Sequence, residues 1–295
     1  MRRLLGSLVA LVVAAGAAVL TWPSAFGVER VFPIAQLISF RAPLAAVMIA
    51  ATLLMLLFAF IRPVRALALV LALIFGVSGG INAAVLFQRG LGSEDLPAKT
   101  ATSLRVMTWN TAGSATSAES IAQFAVGMQA DVVTLPETTI DTGAQVAEMM
   151  RDMGQPMWAH HAEYGEYGIT GWDATSTTVL IRPELGDYSV IESSLDGSSN
   201  TSTVPSAVAM PTSGDGPIIV AAHAVAPRRD YMTQWRSDLQ WLADQCAGDN
   251  VILAGDFNAT LDHMTGMGVD GGRLGRCYDT ASESGNGGVG TWPTD

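Results

Sequence analysis

The chain has 295 residues, a formal net charge of −11 and two cysteines. Its charges are unevenly divided, because residues 1–90 contain seven arginines and one acid, whereas the remainder contains nine basic and twenty-six acidic residues. This division excludes one evenly composed soluble domain. The acidic part also lacks the basic surface that is typical of nucleic-acid binding. The sequence therefore consists of two chemically distinct parts.

The first part contains three long apolar stretches, at residues 4–22, 44–61 and 66–87. Each is close to the length of about 20 residues that a helix needs to cross a bilayer. Because Arg2 and Arg3 precede the first stretch, that stretch alone also fits a signal peptide followed by two spans. The two further stretches favour three transmembrane helices within a membrane region of residues 1–90.

Arginines in the short loops predict the orientation of these spans. Arg2 and Arg3 precede the first span, and Arg62 and Arg65 lie between the second and third spans with no acid between them. Such residues mark cytoplasmic ends. The third span therefore exits outward, which predicts a multi-pass protein of the cell membrane with its acidic part outside the cytoplasm.

The two cysteines, Cys246 and Cys277, both lie in the acidic part. In an oxidising compartment they are expected to form one disulfide, which closes a loop of about 30 residues and stabilises by about 3 kcal/mol. The alternative is a pair of buried free thiols.

Residues 91–103 read as a linker without periodicity, and a folded domain is predicted over 104–295. Strands and helices alternate near both ends of this domain, while strands follow one another in the middle. That order predicts a layered α/β fold with mixed sheets, and it leaves His160 and His161 in an unassigned loop. The predicted strands are 104–110, 131–135, 176–181, 188–193, 206–210, 217–222 and 251–254, and the predicted helices are 118–129, 142–153 and 231–243.

Polar residues follow several of the predicted strands at the point where each strand ends. Taken singly, each has an ordinary interpretation as a turn residue, a surface acid or a core histidine. Strand ends at one edge of a sheet converge in space, however, and the alternation of strand side chains places Asp256 and Asn258 on the same side. Together these residues predict one polar pocket. They are Asn110, Glu137, His223, Asp256 and Asn258.

The ordered segments around these residues resemble the endonuclease/exonuclease/phosphatase superfamily, which includes deoxyribonuclease I. The resemblance covers residues 104–295 and implies a four-layer α/β sandwich with two mixed β-sheets, here preceded by three transmembrane helices. It also implies a phosphoesterase that depends on Mg²⁺ or Mn²⁺. The segments are Met107-Thr108-Trp109-Asn110, residues 131–137 ending at Pro136-Glu137, Ala222-His223, Gly255-Asp256-Phe257-Asn258-Ala259, Tyr278-Asp279 and Gly290-Thr291-Trp292-Pro293.

The resemblance also implies roles for the five pocket residues. Asn110 and Glu137 would supply oxygen ligands to the metal, in keeping with the preference of Mg²⁺ for oxygen. His223 and Asn258 would donate hydrogen bonds to a phosphoryl oxygen. Asp256 would position or help to deprotonate the attacking water, or orient the imidazole of a general base.

Two features depart from the family pattern. Members carry a terminal Asp-His pair beyond the Thr-Trp-Pro segment, whereas this sequence stops at Asp295. His263 is too close to Asn258 to take that role. We therefore expect a C-terminally incomplete domain that is nearly inactive as it stands. The second departure is Ala112, where some nucleases have a polar residue, and it weakens a nuclease assignment.

These observations predict a membrane-tethered, extracytoplasmic phosphoesterase that hydrolyses a phosphodiester. A nucleic acid and a phospholipid or sphingolipid are both possible substrates, and the acidic domain disfavours nucleic acid. The alternative is a binding or sensor module that has kept the fold and lost the chemistry.

Overall fold

The computed structural model describes residues 2–92, 96–165, 173–191 and 199–291. The chain divides into two compact units. The helical unit consists of Met1–Asp95, Thr260–Thr265 and Tyr278–Asp295, and the sheet unit consists of Leu96–Ala259 and Gly266–Cys277. Two short segments from the later part of the chain therefore group with the N-terminal helices.

The secondary structure follows the predicted order closely. The helices are α1 (Arg2–Thr21), α2 (Ile34–Ile38), α3 (Arg41–Phe58), α4 (Arg65–Arg89), α5 (Ala118–Gly127), α6 (Ile140–Asp152), α7 (Met232–Gln245) and α8 (Thr280–Glu283). The strands are β1 (Val106–Thr108), β2 (Val132–Pro136), β3 (Trp158–Glu163), β4 (Ser176–Ile181), β5 (Tyr188–Val190), β6 (Ala207–Pro211), β7 (Ile218–His223) and β8 (Val251–Asp256).

The helical unit contains three helices, α1, α3 and α4, that are long and apolar enough to cross a membrane. Their most apolar stretches have mean hydropathies of 2.4, 2.0 and 2.2. Helix α4 buries the small residues Ser78 and Gly79, and a side chain at Gly79 would come within 3.1 Å of Ile49 in α3. Small residues of this kind let two helices approach closely.

The sheet unit contains two four-stranded sheets. Their strand orders are β1-β2-β4-β3 and β5-β6-β7-β8. Strands β1 and β2 are parallel, as are β7 and β8, while the remaining neighbours are antiparallel. Both sheets are therefore mixed, which confirms the predicted fold class.

Alternation along β2 explains how the layers are held together. Val132 packs with Ile219 and Ala221 of the second sheet, whereas Val133 and Leu135 pack against helices α5 and α6. Successive strand residues face opposite sides, so one apolar strand serves both cores. Helix α7 buries Trp235, Leu239 and Leu242 completely.

The sequence did not predict β3, and the assignment of His160 and His161 to a loop was wrong. Strand β3 lies at the edge of the first sheet and is only partly buried, so it needs no continuous apolar face. Strand β1 is also shorter than predicted, beginning at Val106 and ending at Thr108. Part of the predicted strand 188–193 falls outside the described residues.

Cys246 and Cys277 form a disulfide in the sheet unit, with Cα atoms 5.5 Å apart and a sequence separation of 31. Cys246, which follows α7, is completely buried. The bridge therefore ties the end of this helix to the segment that returns to the sheet unit at Gly266.

Candidate active site

The two parallel strand pairs bring the predicted polar residues to sheet edges. His223 is paired in register with Asp256 at the ends of β7 and β8. Beyond β1, Trp109 donates to Thr134 O and Thr111 donates to Pro136 O, so the ladder continues to the position of Glu137. Neighbouring parallel strands end at the same edge of a sheet. Each pair therefore presents two functional side chains together.

Gly255 allows β7 and β8 to approach closely beside the site. It has φ +156°, and a Cβ at this position would lie 2.0 Å from Ala222 O. No side chain fits at that distance, and only glycine adopts such a conformation easily. The glycine before Asp256 is therefore required by packing.

Asn110 bridges the two carboxylates of the site, Glu137 and Asp256, by hydrogen bonds. Its Nδ2 donates to Glu137 Oε1 and to Asp256 Oδ2, each at 2.9 Å. Its Oδ1 accepts from the backbone N–H of Ala112 at 2.9 Å. The structure thus brings together residues that are 27 and 146 positions apart in sequence. It also turns the amide nitrogen of Asn110, not the oxygen expected of a metal ligand, toward the carboxylates.

His223 lies beside this cluster as a buried, neutral imidazole. Its Nε2 is 3.8 Å from Glu137 Oε1. Burial lowers the pKa of His223 to about 4, and the nearby Asp256 carboxylate offsets only part of that effect. At neutral pH the ring therefore carries no charge.

The surroundings of His223 also determine which ring nitrogen carries the proton. Thr177 Oγ1 donates its single proton to Pro205 O at 2.6 Å and lies 3.4 Å from His223 Nδ1. A hydroxyl that has donated its proton can only accept from the imidazole. Nδ1 therefore carries the proton, and Nε2 is an acceptor that faces the site.

Asn258 is fixed by three hydrogen bonds. Its backbone N–H donates to Asp256 Oδ1 at 2.8 Å and its Nδ2 donates to Ala224 O at 2.9 Å. Its carbonyl accepts from Trp235 Nε1 at 3.1 Å. The Asn258 side chain was predicted to donate to phosphate, but its Nδ2 is already bonded to the carbonyl of Ala224. That bond must break before Nδ2 can donate to a substrate.

Backbone strain is concentrated at this site. Ala112, Glu137 and Asn258 have φ values of +48°, +58° and +46°. Residues with a Cβ avoid this left-handed region, and strained residues cluster where function requires a particular geometry. Three such residues around one pair of carboxylates distinguish this edge from ordinary loops.

Several hydroxyl residues that support the site were missed by the sequence analysis. Thr111 Oγ1 donates to the carbonyl of Glu137 at 3.0 Å and lies 2.8 Å from Thr138 Oγ1. Ser206 Oγ accepts from the backbone N–H of His223 at 2.9 Å. The only available signal was that Thr111 and Thr138 each follow a candidate residue directly, which is too common a pattern to predict a contact.

The donor set fits a magnesium-like ion. Glu137 and Asp256 bind the same amide nitrogen, so their carboxylates lie within reach of one ion, and the neighbouring His223 is neutral. In the described part of the chain no group of three or more His, Cys, Asp or Glu residues forms a metal cluster. One or two carboxylates, with the remaining positions left to water and substrate, is how Mg²⁺ is usually held.

The other predicted positions have contacts of their own. His161 Nε2 is 3.3 Å from Glu163, and the pKa of His160 is lowered by burial in β3. Asp279 caps α8 by accepting from Ser282 N at 2.6 Å, and Tyr278 is exposed. Trp292 and Pro293 lie outside the described residues.

Comparison with known proteins identifies the class of this chain. The sequence profile of the endonuclease/exonuclease/phosphatase family matches residues 107–295, and the chain belongs to this family. Such proteins are phosphoesterase-type hydrolases and generally depend on a divalent metal. No curated protein sequence matches.

Two of the solved structures that match this chain are similar to about half of it. One is a humanized D. rerio TDP2 with 14 mutations, at 18% identity and a TM-score of 0.40, with 56% of this chain and 66% of that structure covered. The other is a truncated Caenorhabditis elegans TDP2, at 14% identity and a TM-score of 0.37, with 54% and 64% covered. This chain thus spans slightly less than two thirds of either structure.

Proposed function

We propose that the sheet unit is a metal-dependent phosphodiesterase. The observation that carries the proposal is the meeting of Glu137 and Asp256 at the Asn110 amide, with His223 beside them. Two carboxylates at one point concentrate negative charge, and a bound cation relieves that repulsion. In the structure Asn110 Nδ2, a hydrogen-bond donor, lies beside these carboxylates where a cation would bind.

Glu137 is the metal ligand that the geometry supports most directly. Asn110 would join it by turning its amide to present Oδ1, which breaks the bonds to both carboxylates and to Ala112 N. When bound, Mg²⁺ or Mn²⁺ polarises a phosphoryl oxygen and stabilises the charge of the departing alkoxide. Asp256 is left to orient the attacking water through its second oxygen.

His223 and Asn258 are proposed to contact the phosphoryl group. In the state described, His223 Nε2 is an acceptor, so donation to a phosphoryl oxygen requires a second proton on the ring. The negative charge of a bound phosphodiester favours that protonation. Asn258 Nδ2 becomes a donor to substrate when it leaves Ala224 O.

We propose that the chain is a multi-pass membrane protein with the sheet unit outside the cytoplasm. Arg41 begins α3 and Arg89 ends α4, and both bind Asp262 within the helical unit. These two helix ends therefore lie on one side, while Arg62 lies in the loop that follows the other end of α3 and Arg65 begins α4. The loop arginines support a cytoplasmic location for that opposite side.

The proposed substrate is a phosphodiester of the phospholipid or sphingolipid type. The excess of acid after residue 90 opposes binding of polyanionic nucleic acid, which is usually held by basic surfaces. A membrane-spanning chain would also meet lipid head groups at high local concentration. Nucleic acid is therefore a comparison substrate in the activity assay described below.

A non-catalytic binding or sensor module is the second candidate. It is supported by the contacts of two other histidines, because His161 Nε2 lies 3.3 Å from Glu163 and His263 Nε2 lies 2.9 Å from Ala35 O.

A measurement of substrate turnover distinguishes the phosphodiesterase from the binding module. We expect the protein to hydrolyse bis-p-nitrophenyl phosphate with Mg²⁺ or Mn²⁺, whereas a binding module would show no turnover. Glu137→Gln and Asn258→Ala should each lower kcat by about 100-fold while the fold is retained. Glu148→Gln is the matched control, since the Glu148 side chain is 66% exposed.

Sphingomyelin, phospholipid vesicles and DNA are assayed in parallel to identify the diester. Unchanged turnover in Glu137→Gln would contradict the proposed metal site. No turnover by the folded protein would contradict the enzyme and support the binding module.

A further inference from the structure

The chain passes from one unit to the other immediately after the candidate catalytic turn. Asn258 is bonded within the sheet unit, whereas Thr260 already belongs to the helical unit. Thr260 N donates to His263 Nδ1 at 2.8 Å, and His263 N donates back to Thr260 O at 2.9 Å. A single residue, Ala259, separates the two sets of bonds.

Residues 260–265 are held by the N-terminal part of the chain. Since His263 Nδ1 accepts from Thr260, the proton lies on Nε2, which donates to Ala35 O at 2.9 Å. His263 is completely buried. Arg30 donates to the carbonyls of His263 and Thr265 at 2.6 and 3.0 Å. His263 thus has a structural role and is not a spare catalytic histidine.

The strongest attachment is a buried ionic cluster at Asp262. Arg41 donates to Oδ2 at 2.9 Å and to Oδ1 at 2.7 Å, and Arg89 donates to Oδ2 at 3.1 Å and to Oδ1 at 2.7 Å. The side chains of Asp262 and Arg41 are 9% and 6% exposed. Arg41 is itself held by Asn82 Oδ1 at 2.6 Å.

An arginine that donates two hydrogen bonds to one carboxylate fixes the orientation of that carboxylate as well as its distance. The two arginines start α3 and end α4, so the location of Asp262 is set by helices that are long enough to cross a membrane. Removing the carboxylate leaves the buried Arg41 and the partly buried Arg89 without their shared partner, and breaking a buried ion pair on one side is strongly unfavourable.

We propose that Asp262 is a positioning residue through which the membrane helices fix the far end of the turn that carries Asp256 and Asn258. The helices are then more than an anchor, because the geometry of the turn depends on their packing. This inference rests on the proposed function of that turn, but the structural dependence can be measured without turnover.

The test is hydrogen–deuterium exchange of the full chain in detergent, read at the amides of Phe257 and Asn258. We expect Asp262→Asn to speed exchange at both amides at least tenfold, while β2 (Val132–Pro136) is unchanged. Arg89→Gln leaves the Arg41 contact in place and should give a smaller effect at the same amides. Arg65→Gln is the control, since Arg65 makes an exposed contact with Ala59 O at the other end of α4.

Faster exchange confined to residues 260–265, with Phe257 and Asn258 as in the unsubstituted chain, would overturn the proposal and leave Asp262 a local structural residue. If Asp262→Asn does not fold, Arg89→Gln is judged by the same criterion. In a form that turns over substrate, Asp262→Asn should lower kcat about tenfold with KM within twofold. Absence of turnover in every form would contradict the proposed function, and the exchange result would still decide the role of Asp262.

Discussion

At the scale of single residues, the site depends on an amide placed between two acids. Strand-end position and side-chain type identified Asn110, Glu137 and Asp256 from the sequence. The direction of the Asn110 amide was not predictable, because it is set by the N–H of Ala112 in a left-handed turn. Orientation of a polar side chain depends on local backbone geometry that residue identity alone does not determine.

Gly255→Ala tests whether close strand approach supports the site. The added Cβ would lie 2.0 Å from Ala222 O, so β7 and β8 must separate. We expect a loss of about 3 kcal/mol or more in the free energy of unfolding, from overpacking and backbone strain together. Denaturant or thermal unfolding of the purified chain measures it.

Gly154→Ala is the matched control for that substitution. Gly154 also has positive φ, at +85°, but an added Cβ there meets nothing within 4 Å. Backbone strain alone predicts a loss of about 1 kcal/mol. Equal losses in the two variants would show that strand contact at Gly255 contributes little.

At the scale of elements, the Asp131 carboxylate connects three segments of the sheet unit by hydrogen bonds. Its carboxylate accepts from Arg105 N before β1, from Lys99 in the preceding segment, and from Arg182 after β4. Burial alone would raise the pKa of Asp131, but these hydrogen bonds outweigh it and lower the pKa. The segment predicted to be a free linker is therefore attached at Lys99.

Asp131→Asn should destabilise the chain by about 2 kcal/mol at neutral pH, since it removes the charge from a buried, multiply bonded group. A lowered pKa in the folded state stabilises above the unfolded pKa of about 3.9, and that stability is lost as pH falls through the folded value. The difference between the two proteins should therefore shrink at acid pH. Unfolding free energies at pH 7 and pH 3.5 measure it, and a constant difference would contradict the role of the charge.

Strand β3 shows why some elements escape sequence analysis. It is an edge strand with partly buried residues on both faces, so its sequence Trp158-Ala159-His160-His161-Ala162-Glu163 lacks a clear apolar alternation. Its pairing with β4 comes from contacts at long sequence separation. Strands such as β2 and β4, which are completely buried, were predicted because their composition alone indicates a core.

At the scale of the whole molecule, the order of elements and the family were predictable, because each buried strand and amphipathic helix leaves a local pattern. The grouping of residues 260–265 with the N-terminal helices was not. It depends on Arg41 and Arg89 meeting Asp262 across 221 and 173 positions, and no local pattern marks such a pairing. Long-range polar contacts are thus what the structure adds.

The central claim is that Glu137, joined by Asn110, holds a cation beside Asp256, and Mn²⁺ binding to the full chain tests it most directly. Titration followed by electron paramagnetic resonance should show one Mn²⁺ per chain, with affinity lowered by about 10–100-fold in Glu137→Gln and unchanged in Glu148→Gln. Equal affinity in the unsubstituted chain and Glu137→Gln, with both proteins folded, would contradict the account.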